Sequence, residues 1–134
     1  MKRRIRAGVF VFLAAGLVMT GGCAAGGGSG GDVGTYVYMR GEVMTVEGAP
    51  FSQVWEAVIT SMEGLDYEIQ DKGNDGLVAS LIARQPDDTR VEIHLSRVDS
   101  ANTKMRIRMG VFGDEEASLL VVKAIRAQLK ANQT

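Results

Sequence analysis

"RVEIHLSRVDSANTKMRIRM", residues 90–109, alternates apolar and polar side chains on both sides of a short polar centre, and its pairing decides the fold. Val91, Ile93 and Leu95 alternate with Arg90, Glu92, His94 and Ser96, the period of two expected of a half-buried strand. Met105, Ile107, Met109 and Val111 stand against Lys104, Arg106 and Arg108 in the same way. If the loop Val98–Asn102 closes a hairpin, Leu95 meets Met105, Ile93 meets Ile107 and Val91 meets Met109. The same register sets Glu92 beside Arg108 and His94 beside Arg106 on the opposite face. A slip of one residue would mix the two faces, so the pattern specifies an antiparallel pair with one apolar and one polar side.

The neighbouring segments extend this sheet. Leu77–Ala83 reads as a strand closed by Pro86-Asp87-Asp88, and Tyr67 and Ile69 alternate with Glu68 and Gln70 in another, ended by the turn residues Gly73-Asn74-Asp75-Gly76. Phe51, Val54, Trp55, Val58, Ile59, Met62 and Leu65 recur at helical spacing, with Pro50 suited to the first turn and Gly64 to the end. Upstream, Tyr36–Val46 is rich in β-branched and aromatic residues and reads as a first strand. Downstream, Asp114 is a natural N-cap, and Glu115 and Glu116 suit the positive end of a helix dipole. Ala117, Leu120, Val121, Ala124, Ile125 and Leu129 form the expected buried stripe of that helix, with Lys123, Arg126 and Lys130 outside. The predicted order is β-α-β-β-β-β-α: an α+β, two-layer sandwich with an antiparallel sheet and two helices on one face, spanning residues 35–131 as a single domain.

The first thirty-four residues have a different character. Lys2, Arg3, Arg4 and Arg6 precede the uncharged run Val9–Met19, whose length suits a signal-peptide core and falls short of the roughly 20 residues a membrane-spanning helix needs. Small residues follow, Thr20-Gly21-Gly22, and then Cys23, the single cysteine of the chain. That arrangement is similar to the lipobox of bacterial lipoprotein precursors, with Thr20 where leucine is commonest. The resemblance implies a signal peptide over residues 1–22 and lipid on the Cys23 sulfur of the mature protein. A lone thiol far from the one histidine has no partner for catalysis or metal binding. Residues 24–34 are a Gly/Ser-rich tether between anchor and domain. Ala24, rather than aspartate, follows the cysteine, which favours the periplasmic face of the outer membrane over the inner membrane if the host is Gram-negative.

From Cys23 onward, 11 basic residues face all 16 acidic ones, a net charge of −5 that gives no general attraction for nucleic acid. Other candidate sites reduce to structure. Asp114, Glu115 and Glu116 point in different directions on a helix and read as capping; Asp71, Asn74 and Asp75 lack the remaining ligands of a calcium loop and read as a turn. Ser52 and Ser118 have no histidine in the pattern to activate them, so no metal, cofactor or catalytic group is expected. The open face of the sheet is the candidate interaction surface: Arg90, Glu92, His94, Lys104, Arg106 and Arg108, with Val78 and Ile82 adding apolar contact.

Three stretches, Tyr36–Glu42, Val54–Ala57 and above all Ile107–Ser118, resemble a family of small bacterial lipoproteins catalogued as domain of unknown function 3568. The resemblance implies an exported lipoprotein with one α+β domain and assigns no activity. The expected role is a lipid-anchored, non-enzymatic envelope domain that binds an envelope protein or an anionic envelope polymer. The alternative is a periplasmic module holding a small ligand in a cleft between sheet and helices.

Overall fold

The computed structural model describes residues 35–133. The predicted signal peptide, Cys23 and the Gly/Ser segment lie outside these residues. Eight elements follow in order: β1 (Val37–Met39), β2 (Glu42–Glu47), α1 (Phe51–Gly64), β3 (Glu68–Asn74), β4 (Val78–Arg84), β5 (Arg90–Arg97), β6 (Thr103–Met109) and α2 (Glu115–Asn132). The strands make one antiparallel sheet in the order β1-β2-β6-β5-β4-β3, and both helices pack on one of its faces. This is the α+β, two-layer architecture expected.

β5 and β6 form the centre of the sheet in the expected register: Leu95 opposite Met105, Ile93 opposite Ile107, Val91 opposite Met109. All six side chains are buried. Ala79, Leu81 and Ala83 of β4 and Val43 of β2 complete the apolar inner face. Against it lie Phe51, Val54, Ala57, Val58 and Met62 of α1, and Val121, Val122, Ile125 and Leu129 of α2. Trp55 and Ile59 pack at the margin of this core.

Within Tyr36–Val46 the chain makes a hairpin of two strands, β1 and β2, rather than one continuous strand. Arg40 and Gly41 both adopt positive φ, 55° and 81°, and Met39 faces Glu42 across a two-residue turn. Two positive φ angles give the turn a twist that matches the strands it joins. Glycine at position 41 is required twice over, because a Cβ there would stand 2.6 Å from the Phe112 carbonyl oxygen. Gly113 is the reciprocal case: with φ of 81°, its Cβ would fall on the Gly41 carbonyl. Two glycines thus let the β1–β2 turn and the β6–α2 loop meet backbone to backbone.

α1 starts at Pro50, which occupies the N-cap position, and ends in a Schellman motif. Tyr67 N–H donates to the Met62 carbonyl and Asp66 N–H to that of Glu63, with Asp66 in the left-handed region at φ 59°. The buried Thr103 hydroxyl donates to the Ala49 carbonyl, fixing the entry to α1 against the start of β6. α2 begins as expected, with Asp114 accepting from Ala117 N–H, and the Tyr36 hydroxyl donates to Glu115 in its first turn. Its buried stripe is Ser118, Val121, Val122, Ile125 and Leu129, so Leu120, expected inside, is 62% exposed. The reason is the neighbour: α2 packs on α1 as well as on the sheet, and that turns Ser118 and Val122 inward.

Among the described residues, the Glu47–Arg126 ion pair crosses the layers. Glu47, at the end of β2, is 5% exposed on the inner face and accepts from Arg126 through both Nε and Nη2, and from the Thr45 hydroxyl. A carboxylate removed from water in this way is tolerable only because its lone pairs are met by a cation and a hydroxyl.

Two outcomes follow from the tight backbone contact and the loops. Gly113→Ala should cost roughly 2–4 kcal/mol in chemical denaturation, since it combines overpacking with an unfavourable φ. Gly48→Ala, where a Cβ meets nothing within 4 Å, should be near neutral. In the three hairpin loops, Asp75 accepts from Val78 and Leu77 N–H, Asp87 from Thr89 N–H, and Asp99 from the Asn102 side chain and Ala101 N–H. These bonds hold each carboxyl below the ordinary value of 3.8. The unfolded chain therefore binds more protons, and the loops' stabilisation is present above that value and lost as pH falls through the folded ones. Urea midpoints measured on acidification should fall below about pH 4, and Asp75→Asn, Asp87→Asn and Asp99→Asn combined should flatten the fall.

Candidate functional site

The sheet face opposite the helices has no covering layer among the described residues. Strand pairing arranges its side chains in rows that follow from register alone. One row runs Val37, Met44, Arg106, His94, Ser80 and Gly73; the next runs Met39, Glu42, Arg108, Glu92, Ile82 and Asp71. A third carries Val46, Lys104, Ser96 and Val78. Glu92, His94, Lys104, Arg106 and Arg108, named from the sequence, lie in these rows, and Arg90, two positions before Glu92 on β5 and opposite Arg84, shares their surface.

Its electrostatics are mixed. Arg106 Nη1 and Arg108 Nε both approach Glu42 at 3.8 Å, and Arg90 Nε meets Glu92 at 2.8 Å. Arg108 Nη2 also donates to the Arg40 carbonyl at 2.8 Å, which orients its guanidinium toward the β1–β2 turn. Lys104 and His94 make no ion pair among the described residues. Four cations thus face two carboxylates in the middle of the sheet, leaving a modest positive surplus over an otherwise acidic chain.

Apolar side chains flank this centre. Val37, Met39 and Val46 on one side and Val78 on the other are each more than half exposed, with Met44 and Ile82 partly so. Beside β1, Tyr36, Val37, Met44, Val46 and Lys104 line a shallow groove of about 330 Å³. A second hollow of about 380 Å³ lies over Val78, Ser80, His94, Ser96 and Arg106. The sequence could not place Glu42 or the Val37–Met44–Val46 margin on this face, because both depend on β2 pairing with β6 across some sixty residues of chain. The alternation of Glu42, Met44 and Val46 with Val43, Thr45 and Glu47 was the available signal.

Pairing also brings Ser80 directly opposite His94 on the open face. No hydrogen bond joins them, and Asp75 nearby is engaged by backbone N–H groups. Ser118 is buried in the first turn of α2, on the helix side of the sheet, and Ser52 stands at the start of α1. Among the described residues no three His, Cys, Asp or Glu side chains gather as a metal site. Asp114 serves as the helix cap, and Asn74 and Asp75 shape the β3–β4 turn.

A separate cleft of about 320 Å³ opens at the end of the domain where the β3–β4 and β5–β6 loops reach the start of α1. Phe51, Ser52, Trp55 and Glu56 of the helix face Asn74, Gly76, Arg97 and Ser100 of the loops. It is a half-open hollow between helix and sheet edge, with an aromatic wall and one guanidinium.

The ion pairs of the open face are long or solvent-exposed and contribute little to folding. Arg106→Ala and Arg108→Ala should each change unfolding free energy by no more than about 0.5–1 kcal/mol, measured by urea denaturation.

No curated protein matches the chain. The family described as "Protein of unknown function (DUF3568)" matches residues 7–128, and the chain belongs to it.

Proposed function

We propose that this chain is a lipid-anchored protein of the bacterial cell envelope whose domain binds another envelope component through the open sheet face. The observation that carries the reading is the chemistry of that face: a basic centre built by β5 and β6, flanked by exposed Val37, Met39, Val46 and Val78, none of which the core requires. Arginine with apolar surround is the composition of protein interfaces. The anchor reading rests on the basic start, apolar run and small residues before Cys23. Acyl chains there would hold the domain at the membrane at about 0.8 kcal/mol per buried CH₂. With Ala24 after the cysteine, a Gram-negative host would carry it on the periplasmic face of the outer membrane.

A second reading, a small-ligand module, draws support from the cleft between α1 and the loop tips, where Trp55 and Arg97 could stack and pair with a small anion. Trp55→Ala would impair that function and leave binding through the open face intact.

In cells, Cys23→Ser should accumulate as an uncleaved, unlipidated precursor by mass spectrometry; normal processing would defeat the anchor. Crosslinking in intact cells should recover a defined envelope component, and Arg106→Glu with Arg108→Glu should abolish that recovery. An unchanged crosslinking pattern would defeat the docking face.

A further inference from the structure

Val111 and Phe112 are 83% and 92% exposed, the most exposed of the large hydrophobic side chains described. They form the tip of the β6–α2 loop. Gly110 N–H donates to the Arg90 carbonyl, Gly113 packs on Gly41, and Asp114 caps α2 immediately after, so both ends of the loop are fixed. The Gly41–Gly113 contact also sets the tip against the β1–β2 turn, whose Tyr38 and Met39 are exposed as well. Single exposed apolar residues are ordinary, but an adjacent apolar pair held at a loop tip clamped at both ends is a surface built to be covered.

We propose that this tip, Val111 and Phe112, rests in the interfacial layer of the lipid bilayer to which the chain is anchored. The inference rests on the anchor at Cys23. Eleven residues separate Cys23 from Thr35, so the chain between them spans at most roughly 40 Å. Thr35 leads directly into β1, and β1 ends at the tip, only about 10 Å further along the strand. An anchored domain therefore always has the bilayer within reach of this end, at high effective concentration. Charge around the tip is mixed: Arg40 stands beside it, and Asp114, Glu115 and Glu116 stand behind it. Contact driven by apolar side chains, not by attraction to anionic headgroups, is the expected mode.

The test uses the chain from Cys23 to Thr134, whose described residues carry their own core, coupled through its single thiol to maleimide lipid in phosphatidylcholine vesicles with brominated acyl chains. Phe112→Trp places a second indole at the tip, while Trp55 lies near the opposite end of β6, on the order of 20 Å away, as an internal control. The expected result is about twofold or greater quenching of the new indole, with Trp55 unaffected and no dependence on salt. An unquenched tip on the coupled chain overturns the inference. So does a protein crosslinked at position 112 in cells when the bromolipids leave the tip unquenched. Because coupling is chemical, absence of native lipid on Cys23 by mass spectrometry would defeat the anchor reading separately, without altering the quenching result.

Discussion

The register of β5 on β6 is the constraint on which the rest of the domain depends. These two strands occupy the middle of the sheet, so β2 and β4 inherit their facing from them and β1 and β3 inherit it in turn. With Ile93 opposite Ile107, Val91, Ile93 and Leu95 of β5, Met105, Ile107 and Met109 of β6, Ala79, Leu81 and Ala83 of β4 and Val43 of β2 all face the helices. Shifting either strand by one would drive Arg106 and Arg108 beneath α1 and α2, where charges without partners are far too costly. Among the described residues Glu47 is the one buried carboxylate, and the inner face accepts it where Arg126 and Thr45 can reach it.

What remains after the core is satisfied is unevenly distributed. The edges are blunted by a three-residue β1 on one side and, on the other, by a β3 bulged between Ile69 and Asp71 and polar along most of its length. The two ends of the sheet differ. One holds an open cleft between Trp55 and Arg97; the other is sealed by the backbone contact of Gly41 with Gly113 and presents apolar side chains outward. The broad face between them carries charges whose ion pairs are too open to stabilise the fold appreciably.

How much of this the sequence discloses follows the range of the interactions. The β5–β6 pairing is legible because a short loop joins the strands and apolar residues must meet apolar residues, and the same local logic reads the Asp114 cap. The β1–β2 turn is hidden because Gly41 sits inside an otherwise alternating run and Arg40, not Asn or Asp, precedes it. Gly41 was the clue, since glycine within a strand pattern marks a turn or a close approach. Leu120 is misread because periodicity gives a stripe but not its rotation, which contact between α1 and α2 decides. The six face residues are legible as a group; Glu42, which draws Arg106 and Arg108 toward β2, becomes part of it only through long-range pairing.

The residues that folding does not demand are the informative ones. Leu81, Ile93 and Ile107 are apolar because the core requires it. Phe112, Val111, Val37 and Val46 are apolar where water would favour polar substitutes, and nothing in the domain gains from burying them. Gly113 bears on this most directly. A glycine in the left-handed region lowers the entropy of folding and stabilises no packed side chain, yet its contact with Gly41 fixes the loop whose tip exposes Phe112. The close approach of the two backbones explains the glycines, and it leaves the apolar tip displayed rather than buried.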